Sequence, residues 1–387
     1  MPESTYFGAR LRDIRKRRGL SQRELAAAAG LSLSTIRTLE QGEHASPRME
    51  TAHRLAVVLR MSTTSLLQRE GEQEVVSEPW RPLQRAVEVA ETQLPDEPTL
   101  AGVRAALADV RTTFFANEIA ELSTLLGPLL RDAEALTDDA EGRAVRAHLL
   151  QIAGSTLTQV RQYAAAETAL RRALDEAPDR LRAASIVTTW CWLLVRQGRL
   201  DESRELATRW ADDMEPRVSR ATVEELAAWG WLLLQASAAC LRDNRPGEAA
   251  DALRLAKTAA TATGRELPKG DIRLASWGPT TVAYKQAERY IIADRPDEVL
   301  ATSQRLAAVR RMGGTEFNRH RLDVAKAHVK LKQPTEAMAV LAKIHAAAPE
   351  WLAEQRYARD IMGDVVKRRR TLTPEMRMMA DAVRLPM

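Results

Sequence analysis

The chain of 387 residues is 45% apolar, 28% charged and only 4% aromatic, too long for one ordinary domain and apolar enough for real cores, so two or more globular domains are expected. Its two cysteines, Cys191 and Cys240, exclude a disulfide scaffold or a thiolate-rich metal site and fit a reduced cytosol. The start, MPESTYFGARLRDIRK, lacks the apolar centre of an export signal, and the longest uncharged apolar stretch, Leu226 to Leu241, stops at Arg242, so neither export nor a membrane span is expected.

The formal net charge of +5 is carried by the first 68 residues, which hold 11 Lys and Arg against 6 Asp and Glu, while the remainder is balanced. A polyanion is therefore drawn to the N-terminal segment and to little else. Nine of the 57 basic residues are lysine. With the abundant alanine, that arginine bias reads as a high-GC bacterial genome, a matter of ancestry and not of mechanism.

From Tyr6 to Leu67 the pattern predicts five short helices with marked ends. Phe7, Leu11 and Ile14 share one helical face, and Gly19 follows as a stop. Ser21 opens SQRE, a capping box in which Ser21 and Glu24 satisfy each other's exposed amides, and Gly30 closes that helix. Ser32 caps a third helix ending at Gly42, Met49 to Leu59 forms a fourth, and residues 62 to 67 add a last turn. Between residues 69 and 98 the composition turns to Glu and Pro and predicts a linker carrying a helix over Leu83 to Gln93.

Beyond Pro98 nearly everything has helical period and no segment alternates like a strand, so residues 99–387 are expected to be all-α. Self-similarity recurs there every 34 to 50 residues or so, the range of helical-hairpin arrays. The clearest unit, HLLQIAGSTLTQVRQYAAAETALRRALDEAPD, places Leu150, Gly154, Leu157, Ala166, Leu170, Ala173 and Pro178 where a tetratricopeptide repeat has large, small, large, small, large, small and proline. Leu233, Ser237, Cys240, Ala249, Leu253 and Ala256 resemble the same register, as do Ala325, Ala337, Leu341, Ile344 and Pro349. Weaker copies lie around Trp190 to Trp210 and Tyr284 to Leu306.

The segment LSQRELAAAAGLSLSTIRTLEQG is the most specific in the chain. Two short helices meet at a tight turn at Gly30, Ala26 allows their close crossing, and Leu25, Leu31, Ile36 and Leu39 fill the space beneath. The start of the third helix is left exposed, and a helix fits the major groove of B-form DNA. With LSQ, ELA, the turn glycine, STI and LE-x-G at the family's spacing, residues 6 to 67 resemble the lambda-repressor-like, or XRE, helix-turn-helix family.

That resemblance implies an N-terminal five-helix DNA-binding domain over residues 1–68. It places Ser32, Leu33, Ser34, Arg37 and Thr38 towards base edges, with Thr35 among the DNA-binding residues. Gln22 would bond a phosphate and brace a neighbouring base reader, Gln41, His44 and Arg48 would touch the backbone of the other strand, and Arg23 would join them. Arg15 and Glu40 occupy the positions of the family's internal ion pair, a structural role. Arg10, Arg12, Lys16, Arg17 and Arg18 supply the surrounding positive field. Leu33 stands where many members have a polar residue, so readout there would rest on contact with a thymine methyl.

In the tetratricopeptide-like register the first helix of each hairpin lines a concave surface. Gln151, Ser155, Trp192, Arg196, Trp231, Gln235, Arg242, Tyr284, Lys285, Arg319 and Lys326 then face inward as candidate ligand-binding residues suited to an acidic or extended ligand. An XRE head followed by helical repeats resembles the RRNPP regulators, which grip a peptide backbone with asparagines. Asn117, Asn244 and Asn318 do not fall cleanly on the concave surface, so a peptide effector is not favoured over a small metabolite or a partner protein. Lys367 to Arg370 reads as a solvated helix end, the cysteines as inert core residues, and the histidines lack metal spacing. With no HExxH, CxxC, phosphate-cradling glycine loop or nucleophile elbow, no enzyme, cofactor or metal is expected.

The expectation is a cytoplasmic bacterial transcriptional regulator, nucleoid-associated when bound to double-stranded DNA. It would act as a homodimer, its α-solenoid holding the dimer and sensing an effector, without membrane contact. The competing class is a protein interaction scaffold in which the head is a docking module.

Overall fold

Apolar residues at helical spacing, punctuated by caps, build a chain that is helical almost throughout. The computed structural model describes residues 4–42, 47, 49–67, 78–89, 97–307, 314–367 and 371–385. The first five helices are α1 (Ser4–Arg17), α2 (Gln22–Ala29), α3 (Leu33–Gln41), α4 (Met49–Leu59) and α5 (Thr63–Leu67). They close over a core of their own, from Phe7 and Leu11 through Leu25, Ile36 and Leu55 to Leu66, and among the described residues no other part of the chain joins it. The N-terminal helices match the expected ones in number and order.

A 3-10 turn (Glu78–Trp80) and α6 (Arg81–Glu88) follow. They fall within the stretch expected to be a linker, yet Trp80, Leu83 and Val87 are buried in the first core of the array. The apolar side chains of this short helix are spaced to cover a neighbour, and α8 supplies that surface. The helix also begins and ends earlier than Leu83 to Gln93, with Pro82 in its first turn.

The array begins with α7 (Leu100–Ala116), α8 (Ile119–Glu134), α9 (Ala140–Gln159), α10 (Tyr163–Asp175), α11 (Arg180–Gln197) and α12 (Leu200–Asp213). It continues with α13 (Val223–Arg242), α14 (Pro246–Thr263), α15 (Pro279–Ile292), α16 (Pro296–Ala307), α17 (Thr315–Lys330) and α18 (Pro334–Ala347), and ends in α19 (Pro349–Glu354), α20 (Arg356–Val366) and α21 (Pro374–Ala382). Among the described residues there is no strand, only a lone bridge between Leu267 and Trp277. None of the described helices is long and apolar enough to cross a membrane.

Six hairpins share one turn chemistry. Asn117, Arg161, Gly198, Asn244, Asp294 and Lys332 each adopt a left-handed conformation, with φ between 59° and 82°. The next residue in each case donates its amide to the carbonyl five positions back, as from Gln162 to Leu157, Arg199 to Leu194 and Gln333 to His328, at 2.8 to 3.2 Å. This satisfies carbonyls left over at the end of the first helix and aims the chain into the second. The six turns are the physical repeat behind the 34-to-50-residue self-similarity.

Glycines mark two of the close approaches, one between the paired helices α9 and α10 and one between α13 and the loop that precedes α15. A Cβ on Gly154 would strike Leu170, and one on Gly230 would overlap the ring of Trp277. The first helices α9, α11, α13, α15 and α17, then α20, touch in succession. They form one layer of the array.

The curl is tight enough to bring late helices back to early ones. Glu350 at the start of α19 accepts a 2.8 Å bond from the Ala120 amide at the start of α8, where a carboxylate also complements the helix dipole. Thr315 donates to the Asn117 side chain at 3.2 Å, and Lys269 to the Phe115 carbonyl at 3.2 Å. The turn between α7 and α8 is thus tied to the starts of α17 and α19 and to the loop before α15.

Candidate nucleic-acid interface

The turn between α2 and α3 is built by local rules. Ser21 and Glu24 form the expected capping box. Gly30 ends α2 at φ 61°, a left-handed conformation that costs a side-chain-bearing residue more than glycine. Ser32 caps α3 by accepting from the Thr35 amide at 3.0 Å. Arg54 donates to the Gly30 carbonyl at 2.6 Å and ties α4 to the turn.

A buried ion pair locks α3 onto α1. Arg15 donates to both carboxylate oxygens of Glu40, from Nε at 2.5 Å and from Nη2 at 2.9 Å, and its third donor reaches the Leu20 carbonyl at 2.7 Å. The Glu40 side chain has no exposed surface. Burial would raise its pKa, but the hydrogen bonds from Arg15 and Gln22 and the charges of Arg15 and Arg12 outweigh burial and hold the carboxyl below its ordinary value. Gly8 lets the helices approach this closely, since a Cβ there would lie against the Leu39 and Glu40 carbonyls. That contact joins residues far apart in the chain and has no local sequence signature.

On this brace, Ser32, Ser34, Arg37 and Gln41 are exposed along α3, with Leu33, Thr35 and Thr38 half-exposed and Arg23 exposed on α2. Two expected contacts are occupied internally. Gln22 donates its amide to Glu40 at 2.8 Å, and the Ser32 hydroxyl is shared with the hydroxyls of Ser34 and Thr35 at 2.7 Å each. Gln22 thus helps to hold Glu40, and Ser32 caps α3 while remaining exposed. His44 and Arg48 lie outside the described residues.

The opposite side of the head meets the array. The Arg242 main-chain carbonyl, at the end of α13, accepts from Thr63 at 2.6 Å and from His53 Nδ1 at 2.8 Å, so that ring nitrogen carries the proton. Burial lowers the His53 pKa. Glu50 pairs with Lys326 of α17 at 3.2 Å, and Met49 and Leu67 pack around Gly198. Thus α4 and α5 dock while the outward residues of α3 stay uncovered.

The candidate ligand residues fall on consecutive inner helices, but their surroundings differ. Arg242 pairs with Glu288, which Lys285 also holds at 2.8 Å. Lys326 bonds Asp364 at 2.9 Å. Arg319 lies 5.2 Å above the Trp192 ring. Its pKa is pushed down to about 10 by burial and by the nearby Arg196. Tyr284 stacks on His320 at 4.7 Å. Gln151 bonds Ser185 at 2.9 Å and Thr189 at 3.2 Å, and Ser155 and Gln235 are buried. Trp231 departs from a groove-lining role, because its ring is part of the hydrophobic core and its indole N–H donates to the Ser276 carbonyl at 3.1 Å.

The acids that answer these cations, Glu288, Asp323 and Asp364, were not anticipated. Their only sequence signal is that they share the inner helices with the basic residues. Burial, reinforced by Glu288, pushes the Asp323 carboxyl up to about 8. The cysteines are buried and unpaired, and burial pushes the Cys191 thiol up to about 12 and the Cys240 thiol up to about 11. Among the described residues no cluster of His, Cys, Asp and Glu could hold a metal ion.

Comparison with known proteins agrees at the head. A family model described as a helix-turn-helix domain matches residues 7–68, so this segment is a helix-turn-helix domain. The uncharacterized HTH-type transcriptional regulator RghRB of Bacillus subtilis (strain 168) is 35% identical over 65 residues, 17% of this chain and 47% of that protein. The chain therefore spans about half the length of the curated relative it matches. Bacillus thuringiensis PlcR, crystallised with the peptide PapR7 and DNA, aligns over 87% of this chain and 99% of its own at 13% identity, with a TM-score of 0.38. Apo ComR from S. thermophilus aligns over 89% and 100% at 12% identity, with a TM-score of 0.27.

Proposed function

We propose that the protein is a sequence-specific, DNA-binding transcriptional regulator that reads duplex DNA with α3 of a domain spanning residues 1–68. The observation that carries this reading is the exposure of Ser34, Arg37 and Gln41 on one rigid helix, braced through the buried Arg15–Glu40 pair and left open by the array. Arg37 and Thr38 face base edges, Leu33 a thymine methyl, and Arg23, Gln41, His44 and Arg48 the phosphates. One such module covers little DNA, so specific binding takes a homodimer on half-sites about 10 base pairs, or a multiple of that, apart. Residues 69–98 connect the head to a tetratricopeptide-like array over 99–387, which holds the dimer in the cytoplasm. An effector, whether small molecule, peptide or protein, acts through the interior of that array.

The contacts around Arg242 and Lys326 supply a route for sensing. Each residue faces the interior and also holds the head, Arg242 through its carbonyl and Lys326 through Glu50. A ligand that draws on these side chains changes how the head is held, and so the spacing of two heads on DNA, by as much as its affinity differs between the two arrangements.

Selection of binding sites from genomic fragments, followed by anisotropy titration of Arg37→Ala with Thr38→Ala, tests the reading. Binding to the selected site should weaken by about 1–3 kcal/mol per lost base contact while non-specific binding is spared. Equal loss on all DNA, or no duplex binding by the wild type at low salt, would overturn it.

A further inference from the structure

A cavity of about 120 Å³ lies between α15, α16, α17 and α18, apart from the head and from the Arg242–Glu288 cluster. Its walls include the rings of Tyr284 and Phe317, 6.1 Å apart, with Val324, Val340 and Leu306 adding aliphatic surface. That size accepts a single substituted ring with its polar group left at the mouth.

Two features mark the cavity as built to receive something. His320 opens onto it while being only 3% exposed, and neither of its ring nitrogens has a hydrogen-bond partner. A buried imidazole without partners is costly, and native interiors avoid it unless another molecule completes the bonding. Burial pushes its pKa down to about 4, so at neutral pH the ring has one donor and one acceptor to offer.

The second feature is charge. Arg321, lying 4.1 Å over the Phe317 ring, and Lys343 border the cavity, and the described residues that line it include no acid. A guanidinium held against an aromatic face keeps its fork of donors in one plane, the geometry that grips a carboxylate.

We propose that this cavity binds a small aromatic carboxylic acid, its ring against Tyr284 and Phe317, a polar substituent bonded to His320 and its carboxylate at Arg321 and Lys343. The site gives the array's effector a chemical class, and to that extent rests on the sensing role proposed above. Binding itself is measured without DNA, so failure of one reading is distinguishable from failure of the other.

The test is calorimetric titration of the full-length protein with sodium benzoate, with sodium chloride at matched ionic strength and benzyl alcohol as comparators. Thermal melts run alongside. Wild-type protein should bind benzoate saturably with a rise in Tm, and bind benzyl alcohol more weakly. Val340→Trp, which fills the cavity, should abolish both. Arg321→Gln, a half-exposed site that spares the core, should weaken benzoate at least tenfold and leave benzyl alcohol unchanged. Benzoate acting no differently from chloride, or binding undiminished in both variants, would overturn the proposal.

Discussion

Replacing Glu40 by alanine tests whether the recognition helix is held by the buried pair or by apolar packing alone. In the native head the Arg15 side chain is 9% exposed and Glu40 has no exposed surface. The alanine variant therefore leaves a guanidinium out of water without its counter-charge, and also strips Gln22 of its acceptor. Breaking a buried pair from one side costs about 3–5 kcal/mol. At about 0.1 kcal/mol per residue, a head of roughly sixty residues has about 6 kcal/mol in hand, so most of its stability should go. The head has a core cluster apart from those of the array, so a single unfolding curve for the chain would mislead. Hydrogen exchange by mass spectrometry resolves the regions: peptides from α1, α2 and α3 should exchange far faster, and those from α9 to α13 should not change. Arg15→Met combined with Glu40→Leu removes both charges and should recover about 2 kcal/mol or more over the single variant, because apolar replacement of a buried pair is often neutral or stabilising. A loss below about 1 kcal/mol in the single variant, or a double variant no more stable than the single, would refute the reasoning.

Gly230→Ala places a methyl group against the Trp277 ring and should lower the stability of the array by about 1–3 kcal/mol or more, read from the urea midpoint of α13 peptides in exchange experiments. Asp323 has a folded pKa raised to about 8. Its contribution is therefore fully present below the unfolded value near 3.9 and is withdrawn as pH rises through about 8. Wild-type Tm should fall between pH 6 and pH 9, and Asp323→Asn should flatten that dependence. His53→Ala with Glu50→Gln removes one hydrogen bond and a partly exposed ion pair, together about 1–2 kcal/mol of head docking. Exchange should quicken in α4 and α5 with the head's own core unaltered, and unchanged exchange would show that these contacts do not hold the head.

Much of the head was legible because its determinants are local. The Ser21–Glu24 box, the left-handed Gly30 and the Ser32 cap each act within four residues, and a short motif records them in order. The inner and outer helices of the array were legible for a similar reason. Small residues such as Gly154 and Ala166 must face each other wherever two helices approach, and this leaves a periodic trace. The connecting stretch was read less well, because the fate of Trp80 and Leu83 depends on a partner, α8, that lies elsewhere in the chain.

What only the tertiary structure decided is how far the array curls. The contact of Glu350 with the Ala120 amide spans 230 positions, and the small rotations between successive hairpins that bring it about accumulate without any single residue encoding them. The same curl turns a surface expected to lie open into an interior. There Arg242 and Lys326 acquire acidic partners and a hold on the head, Trp231 sinks into the core, and His320 is enclosed beside a cavity with nothing to bond. Helical period and caps determine which residues share a face. Burial and charge depend on what that face meets, and that is settled by packing across the whole chain.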